Sequence, residues 1–131
     1  MTRVKWILRI GISFTFLGHG IFAYNLKTSW LPYLTVIGFS TETAITIMPL
    51  IGVLDIIVAT LVLIYPTRIL LIWATIWAFA TALIRPVSGM PIWDFIERGA
   101  NWAAPLALLF IVGFPKNVRD LFSLIKANND N

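Results

Sequence analysis

Cysteine is absent from the chain, and histidine occurs once, as His19. The first absence excludes disulfides, thiol redox catalysis and thiolate metal sites. The second leaves too few imidazoles for an all-protein histidine metal site or a bis-histidine haem. Charge is scarce too: 12% of the 131 residues are Asp, Glu, Lys or Arg, against 59% hydrophobic and a mean hydropathy of +0.86. A soluble domain of this size needs far more polar surface over its core. Phosphate-cradling loops, nucleophile elbows and metal-ligand spacings are missing as well, as are internal repeats and low-complexity tracts. The net charge of +4 sits mainly near helix ends, which reflects membrane orientation and gives no reason to expect nucleic acid as a partner.

What is present is a set of long apolar runs. A hydrocarbon core about 30 Å thick needs roughly 20 apolar helical residues to cross it. Four segments approach that length: about 5–25, 44–65, 68–85 and 92–114. The expected fold is therefore all-α, a single domain over 1–131 forming an integral membrane four-helix bundle. The basic, apolar start "MTRVKWILRIGISFTFLGHGIFAY" is long enough to span, with no small-x-small cleavage pattern before "NLKTSW", so it reads as a mature helix. Pro105 is expected to interrupt the fourth span as a kink. Residues 26–43 form the longest connection, and "SWLPYLTVIGF" is apolar enough to lie along the interface or fold back onto the bundle. The tail "KANNDN" at 126–131 reads as frayed.

Arginine and lysine set an orientation. Arg3, Lys5, Arg9, Arg68, Lys116, Arg119 and Lys126, seven of the ten basic residues, fall on one side of a four-span layout. Basic residues favour the cytoplasmic side, so both termini are expected there. Trp6, Trp30 and Trp93 lie near span ends, where indoles favour the headgroup layer.

The run "GVLDIIVATLVLIY" at 52–65 carries one residue that does not suit lipid, Asp55. A charge at that depth costs about 3 kcal/mol on insertion scales, so a partner or a purpose is expected. With about 1.5 Å of rise per residue, Asp55 lies roughly 16 Å below the outer start of its helix. Asp94, Glu97, Arg98 and Asn101 share one stripe of the fourth helix through i, i+3, i+4 and i+7 spacing. His19 and Arg85 fall at the outer ends of the first and third helices.

Every span thus brings a polar group to the outer half of the bundle. Arg85 and Asp94 can snorkel to water, and Asp94 can pair with Arg98 along the helix. Asp55 can pair with Arg98 or Arg85, bond Asn101 as a neutral carboxyl, or line a polar pocket with its neighbours. The pocket reading names Asp55, His19, Arg98, Glu97, Asn101 and Arg85 as ligand contacts, with Trp77 as a stacking wall. Trp73 and Trp77, one turn apart, suit plain bundle filling more readily than a stacking platform. His19, between Gly18 and Gly20, is either a packing donor or a pocket residue. Gly11 and Gly18 lie seven apart on that same face, where glycine permits close helix approach.

Two stretches resemble DoxX-like membrane proteins. "LRIGISFTFLGHGIFAY" at 8–24 is similar to their first helix, and "GVLDIIVATLVLIYPTRILLIWA" at 52–74 to their second helix, turn and third helix. Arg9, Gly18, His19, Gly20, Asp55, Thr67 and Arg68 are the matching positions. The resemblance implies a four-helix bundle of a bacterial or archaeal cytoplasmic membrane, associated with quinone-linked redox systems and with other membrane subunits. Quinone is then the cofactor to expect, none being covalently bound, with lipid and partner subunits around the chain. Two other functions stay open. One is a binding or transport site for a small cationic or lipid-like molecule, held by Asp55 with Glu97; the other is a scaffold for a larger membrane complex.

Overall fold

The structure, a computed structural model, describes residues 1–126; the tail read as frayed lies, beyond Lys126, outside the described residues. Those residues form α1 (Thr2–Tyr24), a 3-10 turn (Thr28–Trp30), α2 (Leu31–Thr35), α3 (Thr41–Ile64), α4 (Arg68–Val87), α5 (Ile92–Ile96), α6 (Gly99–Val112) and α7 (Val118–Phe122). No strand occurs among them. Four units, with α5 and α6 counted as one, are long and apolar enough to cross a membrane. Large apolar side chains cover the outside of each, such as Phe14, Leu50, Ile76 and Phe110. Contiguous apolar exposure on that scale marks a surface that meets lipid or another protein.

Side-chain caps start the helices where polar residues precede the apolar runs. Ser40 accepts from the Thr43 amide and Thr67 from the Leu70 amide, each supplying an acceptor to an otherwise unpaired N–H. The fourth span departs from expectation. Its backbone breaks at Glu97–Arg98, between α5 and α6, while α6 runs continuously through the buried Pro105. Arg98 Nη1 donates to the Asp94 carbonyl at 2.7 Å, satisfying an acceptor beside the break.

Helix α1 packs intimately on α3, and α4 on α6, with α1 touching α6 between the pairs. The first contact is made by glycine. A Cβ on Gly20 would lie 2.9 Å from the Gly52 carbonyl oxygen, and one on Gly52 would collide with the Tyr24 amide. The two glycines interlock the backbones. Gly11 and Gly18, expected on the close-approach face, have open space where a Cβ would go. The face is offset from theirs and is completed by α3.

Arginines fasten the opposite end. Arg9, buried on α1, donates Nε to the Val62 carbonyl at 3.2 Å and Nη2 to the Leu63 carbonyl, at the last turn of α3. Arg68, the first residue of α4, donates to the Val112 and Gly113 carbonyls at 2.8 and 2.7 Å and pairs with Asp120 at 3.1 Å. Each guanidinium thus satisfies the terminal carbonyls of a neighbouring helix. The segment after α7 returns to this end, where the Ile125 amide donates to the Pro66 carbonyl and Ile125 joins the core.

Two apolar clusters result. The larger, around Ile12, Phe16, Val62, Leu71 and Leu108, fills the arginine-capped half. The smaller, Ala23, Leu34, Ala44 and Met48, lies under the 25–40 connection, which folds back onto the bundle. Leu26, in the left-handed region at φ 54°, turns the chain out of α1.

Candidate functional site

Between the connection and the four-helix core lies a cavity of about 290 Å³. Helix α1 contributes His19 and Ala23, and α3 contributes Met48, Ile51 and Asp55. From α4 come Trp77, Ala80, Thr81, Ile84 and Arg85, and from the folded-back connection Trp30, Tyr33, Leu34 and Ile37. Apolar side chains dominate, with a few polar groups among them, which is the usual make-up of a small-molecule site.

Asp55 is 4% exposed, and its Oδ1 is buried without a hydrogen-bond partner. The indole of Trp77 is near enough to act on the carboxyl, yet Trp77 Nε1 is likewise buried and unpartnered. Arg85 is 6% exposed, so it does not snorkel to water. It donates Nη1 to the Tyr33 hydroxyl at 2.8 Å, lies 5.0 Å from the Tyr33 ring centroid and 5.6 Å from that of Trp30, and keeps Nε without a partner. Trp30 also meets the His19 ring edge-on at 5.8 Å. Three polar atoms from α3 and α4 are thus buried and unsatisfied around one space. Each such atom costs about 1–3 kcal/mol while it stays unpaired.

Four residues singled out from the sequence, Asp55, His19, Trp77 and Arg85, come together in this lining. Arg98, Glu97 and Asn101 do not. Arg98 binds the Asp94 carbonyl and pairs with Glu97 Oε1 at 2.6 Å, and the Glu97 side chain is 65% exposed. The polar stripe of the fourth span therefore serves the α5–α6 break instead of facing Asp55. Asp94 and Arg98 meet through a backbone carbonyl, not as the side-chain pair considered for them. Asp55 has neither the arginine partner nor the Asn101 bond considered for it, and no Asp55–Glu97 carboxylate pair is assembled at the cavity. Trp73 and Trp77 stack, 5.3 Å between centroids and 12° from parallel, but only Trp77 reaches the cavity.

The sequence reading missed Tyr33 and placed Trp30 in the headgroup layer. Their signal was the apolar "SWLPYL" inside a connection, since six such residues need cover and here become the cover. In hydrogen-bonding terms the site is rich in donors: Arg85 Nε–H, Trp77 Nε1–H, a hydroxyl proton on Tyr33 and one imidazole N–H on His19. Arg85, Arg98 and Lys27 also act on His19, while Asp94 and Glu97 act on Arg85, so charges of both signs reach this end of the bundle. Compared with family models, with curated proteins and with solved structures, the chain matches none.

Proposed function

We propose that this chain is a small integral membrane protein that binds the head group of a quinone in the cavity lined by Asp55, His19, Trp77 and Arg85. One observation carries the reading: buried, unpartnered Arg85 Nε and Trp77 Nε1 border the same space as the unpartnered Asp55 carboxyl. Donors without acceptors call for a ligand rich in acceptors, and a quinone ring presents two carbonyl oxygens on a flat apolar body. Arg85, Trp77 and Tyr33 would supply hydrogen bonds to those oxygens. Asp55 and His19 would hold a proton close to them, and the indoles of Trp30 and Trp77 would offer aromatic walls. Bound quinone supplies two-electron redox chemistry; in this reading the electrons come from another chain, so the protein acts as a subunit or accessory of a membrane redox system.

The DoxX-like resemblance fits this reading and rests on the residues that carry it. Of its positions, Gly20 meets α3, Arg9 and Arg68 bind helix ends, and His19 and Asp55 line the cavity. In this reading the arginine-capped end and both termini are cytoplasmic, supported by the positive-inside distribution of Lys and Arg, and the cavity lies in the outer half of the membrane. A bacterial or archaeal membrane is what the DoxX-like resemblance implies. A cationic ligand is disfavoured, because the lining holds the Arg85 guanidinium beside the single carboxyl of Asp55, and Glu97 is not part of it.

Mass spectrometry of the protein purified in mild detergent tests the proposal. Quinone is expected in near-stoichiometric amount, and added decyl-benzoquinone is expected to raise the melting temperature. A preparation without quinone that decyl-benzoquinone fails to stabilise would refute it.

A further inference from the structure

The ring of contacts around the bundle is uneven. Helix α3 lies close on α1, α1 meets α6 and α6 packs on α4, yet α3 and α4 meet only sparingly. Only residues 65–67 separate these two helices, so their inner ends are necessarily neighbours. Antiparallel helices of 24 and 20 residues that start side by side yet meet so sparingly are less closely packed along their length than α1 on α3 or α4 on α6, which leaves room between them towards their other ends. The cavity lies in that space. Of its polar lining, Asp55 and Arg85 are buried and His19, Tyr33 and Thr81 half-buried, whereas its exposed lining residues are the apolar Ile37 and Ala80, with Ile51 and Ile84 half-buried beside them. The exposed neighbours Leu54, Ile76 and Leu83 continue the same apolar surface outward.

From this geometry we infer that the cavity opens sideways between α3 and α4 into the hydrocarbon, and that its ligand is an amphiphile whose apolar tail leaves through this gap. The inference rests on the head-group reading above and adds the class of molecule and its path. A cavity of about 290 Å³ lies at the small end of ligand sites. It holds a ring but not a ring with a long chain, so the remainder of the ligand needs an exit. An exit to water would have exposed polar edges; the exposed lining residues here are an isoleucine and an alanine. A tail lying between Ile51 and Ala80 stays in an apolar medium along its whole length, while the head trades water for the donors of Arg85 and Trp77.

The test compares two probes on protein in nanodiscs: decyl-substituted dimethoxy-methyl-benzoquinone and the same ring without the decyl chain. Binding is read as saturable quenching of tryptophan fluorescence. Ala80→Phe narrows the gap without touching the polar groups. It is expected to weaken the decyl probe by at least about tenfold more than it weakens the tailless ring. Ala80→Leu should show the same preference in weaker form, and retained binding of the tailless ring reports an intact fold. Equal effects on both probes, whether large or absent, would overturn the sideways exit and leave head-group binding standing. No saturable binding of either probe to the unaltered protein would remove the head-group reading and this inference together.

Discussion

Asp55 sits in the apolar run of α3 with an oxygen that has no hydrogen-bond partner among the described residues, and Arg85 and Trp77 face the same cavity in the same condition. A group maintained at that cost serves something other than stability, because removing both the carboxyl and its need for a partner relieves the penalty. Asp55→Leu is therefore expected to stabilise the ligand-free bundle by about 1–3 kcal/mol, seen as a higher melting temperature, and to weaken binding of decyl-benzoquinone at least about tenfold. A lower melting temperature would mean that the carboxyl is structural. Glu97→Gln, by contrast, should leave binding within about twofold, since Glu97 lies outside the cavity on an exposed pair with Arg98. At this scale the sequence was informative where burial was unavoidable: a carboxylate in the middle of an apolar run has to face inward. It was uninformative for Glu97 and Arg98, whose helical spacing suits an inward stripe and a local break equally well. Helical periodicity assumes an unbroken helix, and theirs is broken between them.

The elements are joined by two devices, interlocked glycines at one end and arginine caps at the other. Gly52→Ala places a methyl against the Tyr24 backbone, which cannot yield as a flexible side chain does, so a loss of about 1–3 kcal/mol is expected. Gly18→Ala meets nothing and should be neutral or gain up to about 1 kcal/mol from helix propensity. Equilibrium unfolding of the two variants in detergent separates them, and equal effects would contradict the interlock. Arg9→Lys keeps the charge but loses the fork that reaches two carbonyls, so at least one charge-assisted bond of about 1.5–3 kcal/mol should go. The glycine face was half legible in the sequence. "GHG" marks close approach, but which glycine of the pair is used depends on α3, and nothing local to α1 states where Gly52 lies.

For the whole molecule, four apolar lengths were plain in the sequence because the bilayer fixes them. The cavity was not, because its cover comes from the 25–40 connection and its opening from the sparing contact of α3 and α4. Both are properties of how elements meet. The native lack of cysteine makes the topology simple to check. Phe39→Cys should react with an impermeant maleimide in intact cells, and Lys116→Cys only after the membrane is opened; the reverse pattern would invert the orientation. The central claim is that Asp55 and Arg85 hold a quinone head group, and titration of decyl-benzoquinone into purified wild type, Asp55→Leu and Arg85→Met addresses it most directly. The account predicts saturable one-to-one binding in wild type, weakened at least about tenfold in both variants with the fold retained. Identical quenching by all three proteins, rising linearly as simple partitioning does, would contradict it.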